Sequence, residues 1–160
     1  MTLIDPETVT ETNCVRQPFC RSEIGFPKAI VLAHRTNVFW SLSWQGMHST
    51  IQQLKKGSEV DLVIGCVDTR KARRAIHNWV LRSRVLYWLD LGNNQSSGQF
   101  VLGQPNNSAN RKKKHRLPTV AELYPLCCAK HNGYYVALRF MFCRGSESKS
   151  DQRSPLFVFT

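Results

Sequence analysis

Two acidic residues stand where short apolar segments end, and both could bind a ligand. Asp5 follows Thr2-Leu3-Ile4, and Asp68 follows the mostly apolar run from Val60 to Val67. In open α/β sheets, ligands bind at the carboxyl ends of the strands. A carboxylate there can accept a hydrogen bond from a ribose hydroxyl, as Asp5 could, or hold Mg²⁺, as Asp68 could. The simpler interpretations remain open: Asp5 as a turn former, and Asp68 as the cap of a helix starting at Thr69.

A second set of polar residues could hold phosphate groups. Asn13, Arg16 and Gln17 lie within the polar, irregular stretch from Glu7 to Gly25, and Lys28 follows it; together these polar residues flank a loop. Arginine suits phosphate through its planar fork and lysine as a point charge. Each of these side chains could equally be a solvated surface group. The same two interpretations apply to the cations between Arg70 and Arg74.

The elements that would position these residues alternate between strand and helix. Thr2–Ile4, the run from Glu59 to Cys66, Val85–Leu91 and Gln99–Leu102 predict strands, the last antiparallel to its neighbour. Helical spacing of apolar residues predicts one helix from about Pro27 and another from about Arg70. The first would bury Ala29, Leu32, Ala33, Thr36 and Trp40, and the second Ala72, Ala75, Ile76, Trp79 and Val80. This alternation predicts an α/β fold with a mainly parallel sheet.

Composition limits the class of protein. A chain of 160 residues suits one domain, and it has no apolar run long enough to span a membrane. No signal peptide is evident, and none of the six cysteines forms a CxxC pair, so we expect a cytoplasmic protein with reduced cysteines and no zinc. The net charge of +11 suggests a polyanionic partner. Its densest cluster, residues 111–116, is either a solvated loop or a nucleic-acid contact.

Several segments together resemble the ThiF, MoeB and ubiquitin-activating superfamily. They are Ile4-Asp5-Pro6-Glu7, the Asn-x-x-Arg-Gln element at Asn13–Gln17, the Gly-x-x-Lys element at Gly25–Lys28, and Asp61–Thr69 followed by Arg73. Further segments are similar to the ThiF family protein of the PRTRC system, a plasmid-borne bacterial cassette. These are Tyr87–Asn93, Gly98–Pro105 and Leu117–Pro125, so the resemblance covers residues 1–125.

The resemblance implies a role for each site residue. Asp5 would bind the ATP ribose, while Asn13, Arg16 and Lys28 would hold the triphosphate and stabilise the charge of departing pyrophosphate. Asp68 would position Mg²⁺, and Thr69, where the family usually has asparagine, would lie beside the nucleotide. The implied reaction is attack by the C-terminal carboxylate of a ubiquitin-like or sulfur-carrier protein on the α-phosphate of ATP. Relatives often work as dimers, so a homodimer is a further implied partner.

The resemblance also implies that parts of the fold are missing. The family's glycine-rich phosphate loop and first strand lie upstream of the strand that ends at Asp5, and this chain begins at Met1 within that strand. The lost strand would lie between the strands ending at Asp5 and Asp68, leaving two central edges unpaired. Residues 126–160 depart from the family pattern, as a reading-frame change would produce, and we expect them to form a poorly ordered tail.

These features predict a Rossmann-like ThiF adenylating fold over residues 1–125 that lacks its first strand and glycine-rich loop. We therefore expect adenylation by this chain to be weak or absent. The alternative from another class is a non-catalytic module that binds DNA through residues 111–116. A product without function is a third hypothesis.

Overall fold

The computed structural model describes residues 1–54, 60–93, 98–125 and 156–159, with six strands and four α-helices among them. The strands are β1 (Thr2–Ile4), β2 (Gln45–Met47), β3 (Leu62–Cys66), β4 (Tyr87–Asn93), β5 (Gly98–Gly103) and β6 (Leu156–Phe159). The helices are α1 (Glu11–Arg16), α2 (Lys28–Trp40), α3 (Arg70–Arg82) and α4 (Val120–Leu123). Short 3₁₀ turns cover Arg21–Glu23 and Ile51–Gln53. Within these ranges no helix is long and apolar enough to cross a membrane.

The strands form one sheet in the order β2-β1-β6-β3-β4-β5. All neighbouring pairs are parallel except β4 and β5, which are antiparallel. Helix α2 connects β1 to β2, and α3 connects β3 to β4, as expected for strand-helix-strand units. The predicted α/β class, the mainly parallel sheet and the antiparallel last pair are therefore confirmed.

The centre of the sheet differs from the sequence prediction. β6 lies between β1 and β3 and is parallel to both, with Phe157 opposite Leu3 on one side and Ile64 on the other. The two central edges expected to lack partners are therefore hydrogen-bonded. The prediction was wrong because we assigned no strand to residues 126–160, whereas Leu156–Phe159 forms one. The rest of that predicted tail, residues 126–155 and 160, lies outside the described residues.

Each face of the sheet packs against a different helix. On one face, Leu3 contacts Ala29 and Ala33 of α2, and β2 approaches this helix so closely at Gly46 that a Cβ there would lie 2.5 Å from the Ala29 carbonyl oxygen. On the other face lies the main core, which unites residues from β1, β3, α3, β4 and α4. Its fully buried members include Ile4, Val63, Ile76, Val80, Trp88 and Val120.

The predicted helices are present, with one difference in the buried set. Ile76, Trp79 and Val80 of α3 are buried, as the spacing predicts, and α2 begins directly after Pro27. Trp40 is 66% exposed, because it lies in the last turn of α2 beyond the part that packs on the sheet. Helix α1, strand β2 and helix α4 were not predicted, since each is short and carries little apolar periodicity.

Candidate functional site

Asp5 lies at the carboxyl end of β1 and is 5% exposed. Its Oδ1 accepts a hydrogen bond of 2.8 Å from the backbone N–H of Glu7. Burial raises the pKa of Asp5, while the Glu7 N–H and the Lys28 ammonium oppose that shift. A turn with this Asp-to-(i+2) bond matches the simpler interpretation, but a turn former need not be buried. Burial instead holds the carboxylate at the edge of the sheet in a fixed orientation.

Lys28 is brought to Asp5 by a pairing of two loop segments. Thr8 and Pro27 form an antiparallel bridge, and the Lys28 N–H donates to the Glu7 carbonyl oxygen at 3.0 Å. The Lys28 side chain is only 8% exposed, and its Nζ lies 2.5 Å from the Glu7 carboxylate. Pro27 sets the start of α2, so the lysine occupies the first turn of that helix. Lys28 is therefore a buried cation held beside two carboxylates, and the solvated interpretation does not apply to it.

The other two predicted phosphate ligands differ from each other in burial. Asn13 is 7% exposed, and its Oδ1 accepts from the Thr10 N–H at 2.9 Å and from the Thr10 hydroxyl at 2.8 Å. That oxygen holds the start of α1, which leaves the amide NH₂ as the group that can donate to a ligand. Arg16 lies exposed in the last turn of α1, and no contact within the described residues brings it to Asp5.

Asp68 and Thr69 lie in the turn between β3 and α3, and both are exposed. The Thr69 hydroxyl accepts from the Ala72 N–H at 3.1 Å, so Thr69 is the N-cap of α3. The alternative interpretation, in which Asp68 caps this helix, is therefore wrong. Asp68 keeps an accessible carboxylate at the carboxyl end of β3, two strands from Asp5.

A cavity of about 260 Å³ lies between the ends of β1 and β3. Its walls include both chain neighbours of Asp5, Ile4 and Pro6, and both chain neighbours of Asp68, Val67 and Thr69. The remaining walls come from residues 49–52 and from the first turns of α3: Ser49, Thr50, Ile51, Gln52, Lys71, Ala72 and Ala75. The lining combines apolar side chains with a few polar ones, as in most small-molecule sites.

A larger but more open depression, of about 600 Å³, lies over α1. It is lined by Glu11, Thr12, Cys14, Val15, Phe19 and Arg21, none of which the sequence marked as a site residue. Volume alone would select this depression. We assign the site to the smaller cavity because the two strand-end acids flank it.

Arg73 does not point toward this cavity. Its Nε lies 3.0 Å from both carboxylate oxygens of Asp90 in β4, and its Nη2 donates to the Val67 carbonyl oxygen at 2.8 Å. Asp90 is fully buried; burial raises its pKa, and Arg73 opposes that shift. The resemblance placed Arg73 among the signature residues. Its observed role is to hold the turn after β3 against β4, which positions the backbone that leads to Asp68.

The comparison with known families decides the classification. The profile described as the ThiF family matches residues 1–131, about four-fifths of the chain. The chain belongs to the ThiF family. No curated protein and no solved structure matches the chain. The matched range contains every site residue named above, while the closer resemblance to the PRTRC group stays a prediction.

Family membership gives the general chemistry. The ThiF family is associated with adenylyltransferase-type activity on ubiquitin-like or sulfur-carrier proteins, and its members generally bind ATP with Mg²⁺. In the described ranges no three His, Cys, Asp or Glu side chains come together as a metal-binding group. A single carboxylate is still compatible with Mg²⁺, which commonly takes one or two carboxylates together with substrate phosphates and waters.

Sequence reasoning missed several residues that build this site. Glu7 fixes Lys28, and His48 contacts the Pro6 carbonyl oxygen through Nε2 at 2.8 Å, which attaches the segment after β2 to the turn after β1. Ile51, 4% exposed, lines the cavity. Glu7 stands within the quoted signature and could have been found there. His48 and Ile51 lie in a segment with no motif, and only the fold brings them to Asp5.

Proposed function

We propose that this chain binds Mg-ATP in the cavity between β1 and β3 and adenylates the C-terminal carboxylate of a ubiquitin-like or sulfur-carrier protein. One observation carries the proposal. Asp5 and Asp68, the two acids that the sequence marked, stand at the ends of β1 and β3, and their chain neighbours on both sides line one cavity. An accessible apolar cavity with a few convergent polar groups is the arrangement expected of a nucleotide site.

The buried residues of the cluster would act mainly by orientation. Asp5 is a rigid acceptor for a ribose hydroxyl, because its burial and its bond from the Glu7 N–H fix the carboxylate. Lys28 is held near it by Glu7, so its ammonium would donate to phosphate oxygens without first ordering a long side chain. Asn13 would donate from its amide NH₂. These donors would stabilise charge that develops as pyrophosphate leaves.

The exposed residues would engage only when ligand is present. Asp68 would hold Mg²⁺ together with phosphate oxygens, and the cation would draw charge from the α-phosphate during attack. Arg16 would need to move from its solvent-exposed position to reach the phosphates. The incoming carboxylate forms a bond to the α-phosphorus while the bond to pyrophosphate breaks, so no nucleophile from this chain is required.

The expectation of weak activity rested on two absences. One was an empty central strand position, which β6 occupies. The other was the glycine-rich phosphate loop, which the resemblance placed upstream of Asp5. Reduced turnover relative to members with that loop therefore remains our prediction.

Calorimetric titration with ATP, with and without Mg²⁺, tests the site. We expect saturable ATP binding that Mg²⁺ strengthens. In Asp68→Ala the gain in ATP affinity caused by Mg²⁺ should fall by roughly tenfold, equivalent to about 1.4 kcal/mol. Asp68 is exposed and makes no cap, so this variant should fold like the parent chain. Lys112→Ala is the matched control, because it removes an exposed charge in the loop between β5 and α4.

Two results would overturn the proposal. One is ATP binding that neither Mg²⁺ nor Asp68→Ala alters, which would place the nucleotide elsewhere. The other is an equal loss of affinity in Asp68→Ala and Lys112→Ala, which would mean that the loss is not specific to the Asp68 carboxylate. If binding is confirmed, ATP–pyrophosphate exchange with a candidate carrier protein tests the adenylation step.

A further inference from the structure

The loop between β5 and α4 and the outer face of β4 and β5 form one continuous surface away from the nucleotide cavity. In this hairpin the residues that alternate away from the core lie opposite one another: Leu89 faces Leu102, and Leu91 faces Phe100. Tyr87 continues the same row on β4. We call these five residues the hairpin face. Trp88 and Asp90 point to the other face, toward α3, and are buried.

The hairpin face is unusually accessible for the sheet of an α/β protein. Four of its side chains are more than one-third exposed: Tyr87 at 37%, Leu91 at 38%, Phe100 at 46% and Leu102 at 45%. Both faces of such a sheet are normally covered by helices. A contiguous exposed apolar surface with aromatic side chains marks an interaction site more often than a chance exposure.

A cluster of cations adjoins this face. Residues 111–116, which we call the basic loop, contribute Arg111, Lys112, Lys113, Lys114, His115 and Arg116. The Lys113 Nζ lies 5.9 Å from the centre of the Tyr87 ring, so the loop touches the first aromatic residue of the hairpin face. The four ion pairs of the described residues involve neither Lys112 nor Lys114, and both lysines are exposed.

Buried hydrogen bonds hold the basic loop in place. The Asn107 amide donates to the carbonyl oxygens of Val80 and Val85, and the Asn110 amide donates to those of Val85 and Leu86. At the far end, Arg116 donates to the Gln104 carbonyl oxygen and to both oxygens of Glu122. Because both ends are fixed, the basic loop is held beside Tyr87 before any ligand arrives, which lowers the entropic cost of binding.

We propose that the hairpin face and the basic loop together bind single-stranded nucleic acid without strong sequence preference. Single-strand binders combine a cationic track for the backbone with aromatic side chains on which bases stack. Here Tyr87 and Phe100 supply the rings, and Lys112 and Lys114 supply the charges. Duplex DNA fits less well, because its bases are already stacked on one another and leave no free faces for Tyr87 and Phe100. This site is independent of the proposed nucleotide cavity.

The test is fluorescence anisotropy of a labelled single-stranded oligonucleotide of mixed sequence, titrated with the full chain over a series of salt concentrations. The charge variant Lys112→Ala/Lys114→Ala should lower the affinity and reduce the slope of log K against log salt by about 1.4, since each phosphate contact on a single strand contributes about 0.7. The matched control is Arg21→Ala/Arg82→Ala, which removes the same number of exposed charges elsewhere and should leave the slope nearly unchanged.

A second variant separates stacking from charge. Tyr87→Leu/Phe100→Leu keeps the face apolar but removes both rings, and we expect the affinity to fall at least tenfold with an unchanged salt slope. Circular dichroism on each variant checks that the fold is retained. The proposal is overturned if the charge variant and its control behave alike, if loss of the rings has no effect, or if duplex DNA or polyglutamate binds as tightly as the single strand.

Discussion

The two halves of the sheet use their buried charges differently. The first half, β1 and β2 with α1 and α2, gathers Asp5, Glu7 and Lys28 at the carboxyl end of β1, where a ligand would bind. The second half, β3 to β5 with α3 and α4, buries its Arg73–Asp90 pair under the helix and leaves Asp68 exposed. The charged groups of the first half are therefore held in place at the edge of the sheet where we propose that ATP binds. In the second half, the buried Arg73–Asp90 pair stabilises the fold, and Asp68 is the exposed carboxylate that lies near the cavity.

Among the described strands, β6 alone joins the two halves, since β1 and β3 do not pair with each other. The separation between Asp5 and Asp68 therefore depends on a strand of four residues. Breaking that strand should test whether the halves can function or fold without their link.

Val158→Pro should be among the most destabilising substitutions proposed for either half. Val158 lies opposite Ile4 and Gly65 in the centre of the sheet. Proline there removes a backbone N–H that can hydrogen-bond between strands, and its ring clashes with the adjacent backbone. We expect a loss of about 3 kcal/mol or more, a large fraction of the roughly 5–15 kcal/mol of an ordinary domain, so the urea midpoint should fall markedly. Urea denaturation followed by circular dichroism and tryptophan fluorescence measures it.

Val158→Ile is the control for this change, because it keeps the backbone N–H and the β-branched side chain. It should unfold near the parent midpoint. If Val158→Pro unfolds with the parent midpoint and slope, β6 does not link the halves in solution.

Arg73→Met tests the architectural role of the second half. The substitution leaves Asp90, which is fully buried, without its cation, and such a loss typically costs about 3–5 kcal/mol. Burial already raises the pKa of Asp90, so the unpaired group contributes stability only while protonated. The penalty should therefore be small at acidic pH and grow as pH rises through the folded-state pKa.

The double variant Arg73→Met/Asp90→Asn should recover part of this stability and lose the pH dependence. ATP binding per folded molecule should be nearly unchanged in either variant if the pair is architectural. A large loss of ATP affinity in a stable double variant would instead show that Arg73 serves the nucleotide site, and the contrast between the halves would fail.

Asp5→Asn tests the binding role of the first half. Burial raises the pKa of Asp5 in the folded state, so ionising this carboxyl group destabilises the fold as the pH rises above its unfolded-state pKa. Asparagine cannot ionise and removes this destabilisation. The variant should be at least as stable as the parent at neutral pH while its ATP affinity falls roughly tenfold through loss of a charged hydrogen bond. Equal losses of stability and affinity would mean that Asp5 is structural.

The sequence allowed good prediction where physical signals are local. Pro27 marks the start of α2, the spacing of Ile76 and Val80 marks the buried face of α3, and the Asp5 and Lys28 motifs locate residues that the fold does bring together. Whether these residues bind ATP remains a prediction.

The sequence failed where the deciding contacts are non-local. Leu156–Phe159 has only four apolar residues after a serine-rich stretch, so nothing local distinguishes a central strand from a tail. Its place is set by β1 and β3, which lie far earlier in the chain. The Arg73–Asp90 pair and the His48 contact likewise join residues that no periodicity connects.

Glu122→Gln should reduce stability less than the other destabilising substitutions. It tests whether the charged groups of the second half act by stabilising the fold. Two hydrogen bonds from Arg116, with others from Thr119, lower the pKa of Glu122 to about 2. A carboxylate whose pKa is lowered in the folded state stabilises the protein at pH values above its unfolded-state pKa. That stabilisation disappears as the pH falls through the folded-state pKa. Since the pair is partly solvated, we expect a loss of only about 0.5–1 kcal/mol at neutral pH, vanishing near pH 2. Urea midpoints across this pH range measure it, with Glu11→Gln as an exposed control. A loss of stability that is the same at all pH values would show that the Glu122 side chain acts through packing and not through charge. The Arg116–Glu122 ion pair would then not be what holds this end of the basic loop.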